Sequence, residues 1–168
     1  TAETAEYLTW GDQEFALSPM QVFQCTEMPE FTVGAEICED LWVPCPPSIS
    51  HALAGANVIV NLSAGDEITG KDVYRKELVN GQSARLVCAY LYATAGEGES
   101  STDLVFGGHN LICENGSVLA EARRFRNETI YADVDVKRLA AERRKMTTFP
   151  AADREGYRAV SFSLKIED

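Results

Sequence analysis

The first seventy residues contain no lysine and no arginine, although they carry acidic residues from Glu3 to Glu67. All fifteen basic residues fall between positions 71 and 168, where acidic residues balance them, so the net charge of -11 belongs to the first segment. Nucleic acid and anionic membranes both require a basic face to displace counterions, and neither is an expected partner. An acidic segment of this kind reads as one half of an electrostatic pair whose basic half lies elsewhere. Long apolar runs are also missing: none could span a bilayer. The opening TAETAEYLTWGDQEF has neither the basic start nor the apolar core of a signal peptide, so a cytoplasmic location is expected. Histidine is scarce. His51 and His109 stand far apart without H-E-x-x-H spacing, are read as polar surface or capping residues, and imply no metal site. The five cysteines, Cys25, Cys38, Cys45, Cys88 and Cys113, are odd in number and lack C-x-x-C spacing. Neither a disulfide framework nor a zinc site follows, and they are read as reduced thiols.

What is present is an alternation of strand and helix patterns in a chain of 168 residues, one domain's worth. Tyr7–Trp10 and Glu14–Leu17 flank Gly11-Asp12 as a hairpin, and Gln21–Cys25 is a β-favouring run between two prolines. Ser48 is expected to cap a small apolar helix over 49–56. Asn57–Leu62 and Cys88–Ala95 have the nearly continuous apolar character of buried strands. Between them, Lys71–Val87 has helical spacing, with Tyr74, Leu78, Ala84 and Leu86 on the inner side and Arg75, Lys76, Glu77, Gln82 and Arg85 facing out; Gly81 weakens its middle. A Gly- and Ser-rich loop, Gly96–Gly108, leads to three strand-like runs: His109–Cys113, Ser117–Ala122 and Thr129–Asp135. Glu114-Asn115-Gly116 is the turn between the first two. A charged helix over Val136–Lys145 and a final strand over Tyr157–Leu164 complete an α/β pattern.

The stretch that carries chemistry is Phe31–Trp42, FTVGAEICEDLW. An alternating β-favouring run delivers Cys38 at its end, where the character turns acidic with Glu39 and Asp40. Pro44, Pro46 and Pro47 then prevent the strand from continuing, which exposes Cys38 at a strand end, the place where an α/β enzyme holds a nucleophile. The alternative is a buried structural cysteine, since free cysteine is among the most buried residue types. The words around it, Glu36-Ile37-Cys38-Glu39-Asp40-Leu41-Trp42-Val43-Pro44, then Ala52-Leu53-Ala54-Gly55-Ala56 and Asn61-Leu62-Ser63-Ala64, resemble the glutaminase domain of glutamine-dependent NAD synthetases. That domain is a member of the nitrilase (carbon–nitrogen hydrolase) superfamily. The resemblance continues through Gly70-Lys71, Gln82-Ser83-Ala84-Arg85, Gly98–Leu104 and Glu114-Asn115-Gly116.

The resemblance implies a nitrilase-type four-layer α-β-β-α sandwich, represented in part, with residues 1–168 forming part of the carbon–nitrogen hydrolase domain. It implies Cys38 as the nucleophile that attacks glutamine, a thioester intermediate, and the backbone N–H of Glu39 as an oxyanion donor. Lys71 matches a basic residue that contacts glutamine, and Gly65 stands where many members have a serine that does so. Family members also use a glutamate base and a lysine that precede the cysteine, and no lysine precedes Cys38 here. The expectation is therefore the C-terminal portion of a glutaminase domain, inactive by itself. Neither cofactor nor metal is expected in this segment. ATP and magnesium would belong to the synthetase domain, whose S-G-G-x-D-S loop is not in this sequence, and ammonia would pass there to amidate nicotinic acid adenine dinucleotide. A stand-alone nitrilase-family amidase is the second reading. A third is an assembly fragment whose uncovered sheet edges favour a homo-oligomer. A rival from another class is the G-x-x-x-x-G-K spacing of Gly65–Lys71, a nucleotide loop in all but its last residue. Asp72 stands where Ser or Thr should hold magnesium, and Asp66 and Glu67 place carboxylates where phosphate would sit.

Overall fold

The computed structural model describes residues 6–99 and 102–164. Ser100 and Ser101 of the Gly98–Leu104 motif lie outside the described residues. Strands β1 (Glu6–Trp10) and β2 (Gln13–Leu17) form the expected hairpin, separate from the main sheet. The remaining strands are β3 (Gln21–Cys25), β4 (Thr32–Ile37), β5 (Val58–Ser63), β6 (Ala89–Thr94), β7 (Leu111–Glu114), β8 (Ser117–Glu121) and β9 (Arg158–Phe162). They build one seven-stranded sheet in the order β8-β7-β6-β5-β4-β3-β9. At its centre β4, β5 and β6 run parallel, joined by crossovers that contain α1 (Pro47–Leu53) and α2 (Lys71–Leu86). The outer pairs β3–β4, β6–β7 and β7–β8 are antiparallel, and β9 lies parallel to β3.

Alternation along the parallel strands gives the sheet two different faces. The face under α1 and α2 buries Ile59, Tyr90, Tyr92, Leu111 and Cys113 against Ala52, Val79 and Leu86. On the other face a smaller cluster of Val58, Val87, Ala89 and Leu139 sits under α3 (Val136–Lys145). The turn Glu114-Asn115-Gly116 has Asn115 at φ 43° and Gly116 at φ 82°, the paired left-handed conformation of a tight hairpin. Gly34 is required by space: a Cβ there would lie 2.7 Å from that of His51.

Several expectations are corrected. One large sheet and a detached hairpin are present among the described residues, so the sandwich is partial. Thr129–Asp135 pairs with no strand among the described residues. Ser48 does not cap its helix; Pro46 holds that position, because a proline at the helix start loses no hydrogen bond and the helix can begin two residues earlier, at Pro47. Gly81 does not interrupt α2, which runs unbroken from Lys71 to Leu86. The inner stripe of α2 is Arg75, Val79, Gln82, Ser83 and Leu86, with Tyr74 exposed, so Arg75 and Gln82 face inward rather than out. His51 and His109 are both buried, not surface residues.

Candidate active site

The sheet register assembles the site. Glu36 on β4 is paired with Asn61 on β5, and Asn61 with Tyr92 on β6, so these three side chains share the helix-covered face in one row. One step nearer the carboxyl end, the chain leaves β4 at Cys38 and Ser63 ends β5 beside it. Cys38 has φ 51°, a left-handed conformation that a non-glycine residue adopts only when its surroundings hold it there. Asn61 holds it. Its Oδ1 accepts from the Cys38 N–H at 3.2 Å, and its Nδ2 donates to the Cys38 carbonyl at 3.4 Å. The amide is oriented in turn by the Tyr90 hydroxyl, 3.2 Å from Nδ2, and Tyr90 donates to the buried carboxylate of Glu36. Burial, and then the Glu36 charge, hold the Tyr90 phenol protonated far above its ordinary range. The other Glu36 oxygen accepts from the Ser48 N–H at 2.7 Å, which fixes the start of α1.

Beyond Cys38 the residues Cys38–Trp42 form a 3₁₀ turn, which leaves its first N–H groups without intrahelical acceptors. Asp40 takes that of Ile37 at 2.8 Å and Asn61 takes that of Cys38; the Glu39 N–H has no acceptor among the described residues. Glu39 therefore presents a backbone donor beside the Cys38 thiol, which is half-buried. The Ser63 hydroxyl lies 3.4 Å from the Cys38 sulfur.

Lys71 opens α2, pairs with Asp66 and lies 5.7 Å from the ring centroid of Trp42, the last residue of the cysteine turn. The Lys71 ammonium holds the Asp66 carboxyl below its usual range. Gly65 lies beside the site: a Cβ there would stand 3.6 Å from the Tyr92 hydroxyl and 3.7 Å from that of Ser63. The same loop excludes the phosphate-cradle reading on physical grounds. Asp66 is bound to Lys71 and Glu67 is buried against Arg75 at 3.0 Å, so the loop's lysine is already paired and its carboxylates stand where phosphate would have to sit. Cys38, Glu39 and Gly65 are thus gathered at one end of the parallel strands, with Lys71 against the adjoining turn. Asn61, Ser63, Tyr90, Tyr92 and Glu36 are site residues that sequence reasoning did not assign. Asn61 and Ser63 were visible as polar residues at the end of a buried apolar run and within the words that carry the family resemblance.

The family model described as "Carbon-nitrogen hydrolase" matches residues 4–144. This chain belongs to the carbon–nitrogen hydrolase family. Its relatives within that family include the glutamine-dependent NAD(+) synthetase of Mycobacterium tuberculosis, 42% identical over 162 residues that cover 92% of this chain and 24% of the relative. The enzyme of the same name from Mycobacterium leprae is 40% identical over 163 residues, with the same coverage. This carbon–nitrogen hydrolase chain therefore spans about a quarter of the length of these curated relatives. Among solved structures, a glutamine-dependent NAD(+) synthetase from Cytophaga hutchinsonii aligns with a TM-score of 0.59 at 25% identity, covering 74% of this chain and 19% of that one. A carbon–nitrogen hydrolase from Helicobacter pylori shares the fold at a TM-score of 0.59 and 19% identity, covering 77% and 47%. The nitrilase-type α/β fold expected from the sequence is present in part.

Proposed function

We propose that this chain is the nucleophile-bearing part of a glutaminase that serves a glutamine-dependent NAD synthetase. The observation that carries the reading is Cys38 itself, a half-buried thiol at the end of a central parallel strand, held left-handed by Asn61 beside an open backbone donor. A thiol so placed can attack a carboxamide carbon. A carbon–sulfur bond forms as the Glu39 N–H stabilises the oxyanion, the carbon–nitrogen bond breaks, and the thiol proton leaves with ammonia by way of a general base. Water then cleaves the thioester, releasing glutamate and restoring the thiol. Lys71 and the backbone at Gly65 are assigned to glutamine binding. In the family the base and the oxyanion lysine precede the cysteine; residues 1–70 here supply no lysine.

The similarity to mycobacterial enzymes named as glutamine-dependent NAD synthetases supports glutamine, rather than another amide, as the substrate. The ammonia would be used by an ATP- and magnesium-dependent synthetase domain to amidate nicotinic acid adenine dinucleotide, in the cytoplasm and within a homo-oligomer. The test is covalent labelling with 6-diazo-5-oxo-L-norleucine, an electrophilic glutamine analogue, followed by peptide mass spectrometry. An adduct on Cys38, suppressed by excess glutamine and lost in Cys38→Ala, is expected. Labelling of the exposed Cys45 alone, indifferent to glutamine, contradicts the reading.

A further inference from the structure

We propose that Ser63 is a catalytic residue whose hydroxyl donates a hydrogen bond to the Cys38 sulfur, and that Tyr92 is a positioning residue that commits the Ser63 proton to that bond. The proposal rests on Cys38 being the attacking thiol. The geometry is a two-step relay. The Tyr92 hydroxyl donates to Ser63 Oγ at 2.7 Å, and Ser63 Oγ lies 3.4 Å from Cys38 Sγ. A serine hydroxyl has one proton and two lone pairs. With Tyr92 filling a lone pair, the Ser63 proton is free to point at sulfur, and both donors are aligned in one direction.

The fold makes the relay rigid. Tyr92 is buried on the helix-covered face of β6, in register with Asn61, the residue that clasps the Cys38 backbone. Ser63 follows Asn61 by two positions on β5 and so projects to the same face. One strand therefore supplies both the clasp for the cysteine backbone and the donor for its sulfur. Gly65 leaves this side of the relay open, since a side chain there would be in ordinary contact with both oxygens.

Sulfur accepts more strongly as a thiolate than as a thiol, so a fixed donor favours the nucleophilic form.

The test measures iodoacetamide alkylation of Cys38 at neutral pH, quantified on the Cys38 peptide by mass spectrometry so that the other cysteines do not interfere. Ultraviolet thiolate absorbance and thermal melting are followed in parallel. Ser63→Ala is expected to slow alkylation about tenfold, and Tyr92→Phe about threefold, with thiolate absorbance falling in step. Ser63→Thr, which keeps the hydroxyl, is expected to restore most of the rate, whereas a purely structural role would leave threonine no better than alanine. Unchanged alkylation and absorbance in both Ser63→Ala and Tyr92→Phe overturn the proposal. Because this readout needs no substrate, it is separable from the glutaminase reading, which fails instead if Cys38→Ala retains glutamine hydrolysis.

Discussion

At the scale of single residues, burial sorts the cysteines into reactive and inert. Burial pushes the Cys88 thiol up to about 12 and that of Cys113 up to about 11, while Cys38 is half-buried and Cys45 exposed. Alkylation of the native protein at neutral pH should therefore label Cys38 and Cys45 and spare Cys88 and Cys113, as peptide mapping would show; labelling of Cys88 before unfolding would contradict this assignment. His51 gives a second prediction. Its Nε2 donates to the Ala35 carbonyl at 2.9 Å, its Nδ1 faces the Tyr157 hydroxyl at 3.1 Å, and burial lowers its pKa against the opposing pull of Ala35, Glu36 and Asp40. The folded state then disfavours the charged ring, so the unfolded chain takes up the proton first as pH falls. Stability should be lost as pH drops through about 6.5, the ordinary histidine value, towards the lower folded value. Urea midpoints at about pH 7.5 and about pH 5.5 should differ less in His51→Gln than in the parent. Cys38 was legible because an alternating run ends there before three prolines. The burial of His51 was not, since only the approach of α1 to Gly34 supplies the carbonyl that satisfies its ring.

At the scale of elements, α2 shows why a correct helix can be assigned the wrong face. Its limits followed from spacing, but polarity placed Arg75 and Gln82 outside. The buried stripe of Arg75, Val79, Gln82 and Leu86 has regular helical spacing; two of its members are polar, and each meets partners outside the helix. Arg75 meets Glu67 at 3.0 Å and His109 Nδ1 at 3.0 Å, and Gln82 donates to Ser48 at 3.0 Å. Because Arg75 is the donor to Nδ1, His109 uses its Nε2–H for Glu121 at 2.9 Å. Removing the Arg75 charge would leave the buried Glu67 carboxylate with only the longer 3.7 Å contact to Arg124. Arg75→Met should therefore cost about 3–5 kcal/mol in urea unfolding, and Glu67→Gln in the same chain should recover part of it. Additive losses in that cycle would show that the pair is not coupled. The strand expected over Thr129–Asp135 failed for a different reason: β-favouring residues make a strand only where they run along an open edge, and this segment follows neither β8 nor β9, the two edges of the sheet.

For the whole molecule, the sheet's second face sets the outlook. On the side away from α1 and α2, Ile37 is 66% and Leu62 is 61% exposed, and register aligns Ile37 with Leu62 and Leu62 with Ala93. In the proposed homo-oligomer, this apolar strip across central strands is where a second copy of the chain would pack. Sedimentation of this chain should show concentration-dependent association that Leu62→Glu weakens; monomer at every concentration would contradict this. The measurement that tests the account most directly is glutamine-to-glutamate turnover, with Cys38→Ala as control, on this chain and on the longest form of the protein that contains it. The account predicts turnover that depends wholly on Cys38 in the longest form, and none from this chain alone, in which no lysine precedes Cys38. Turnover that survives Cys38→Ala would contradict it.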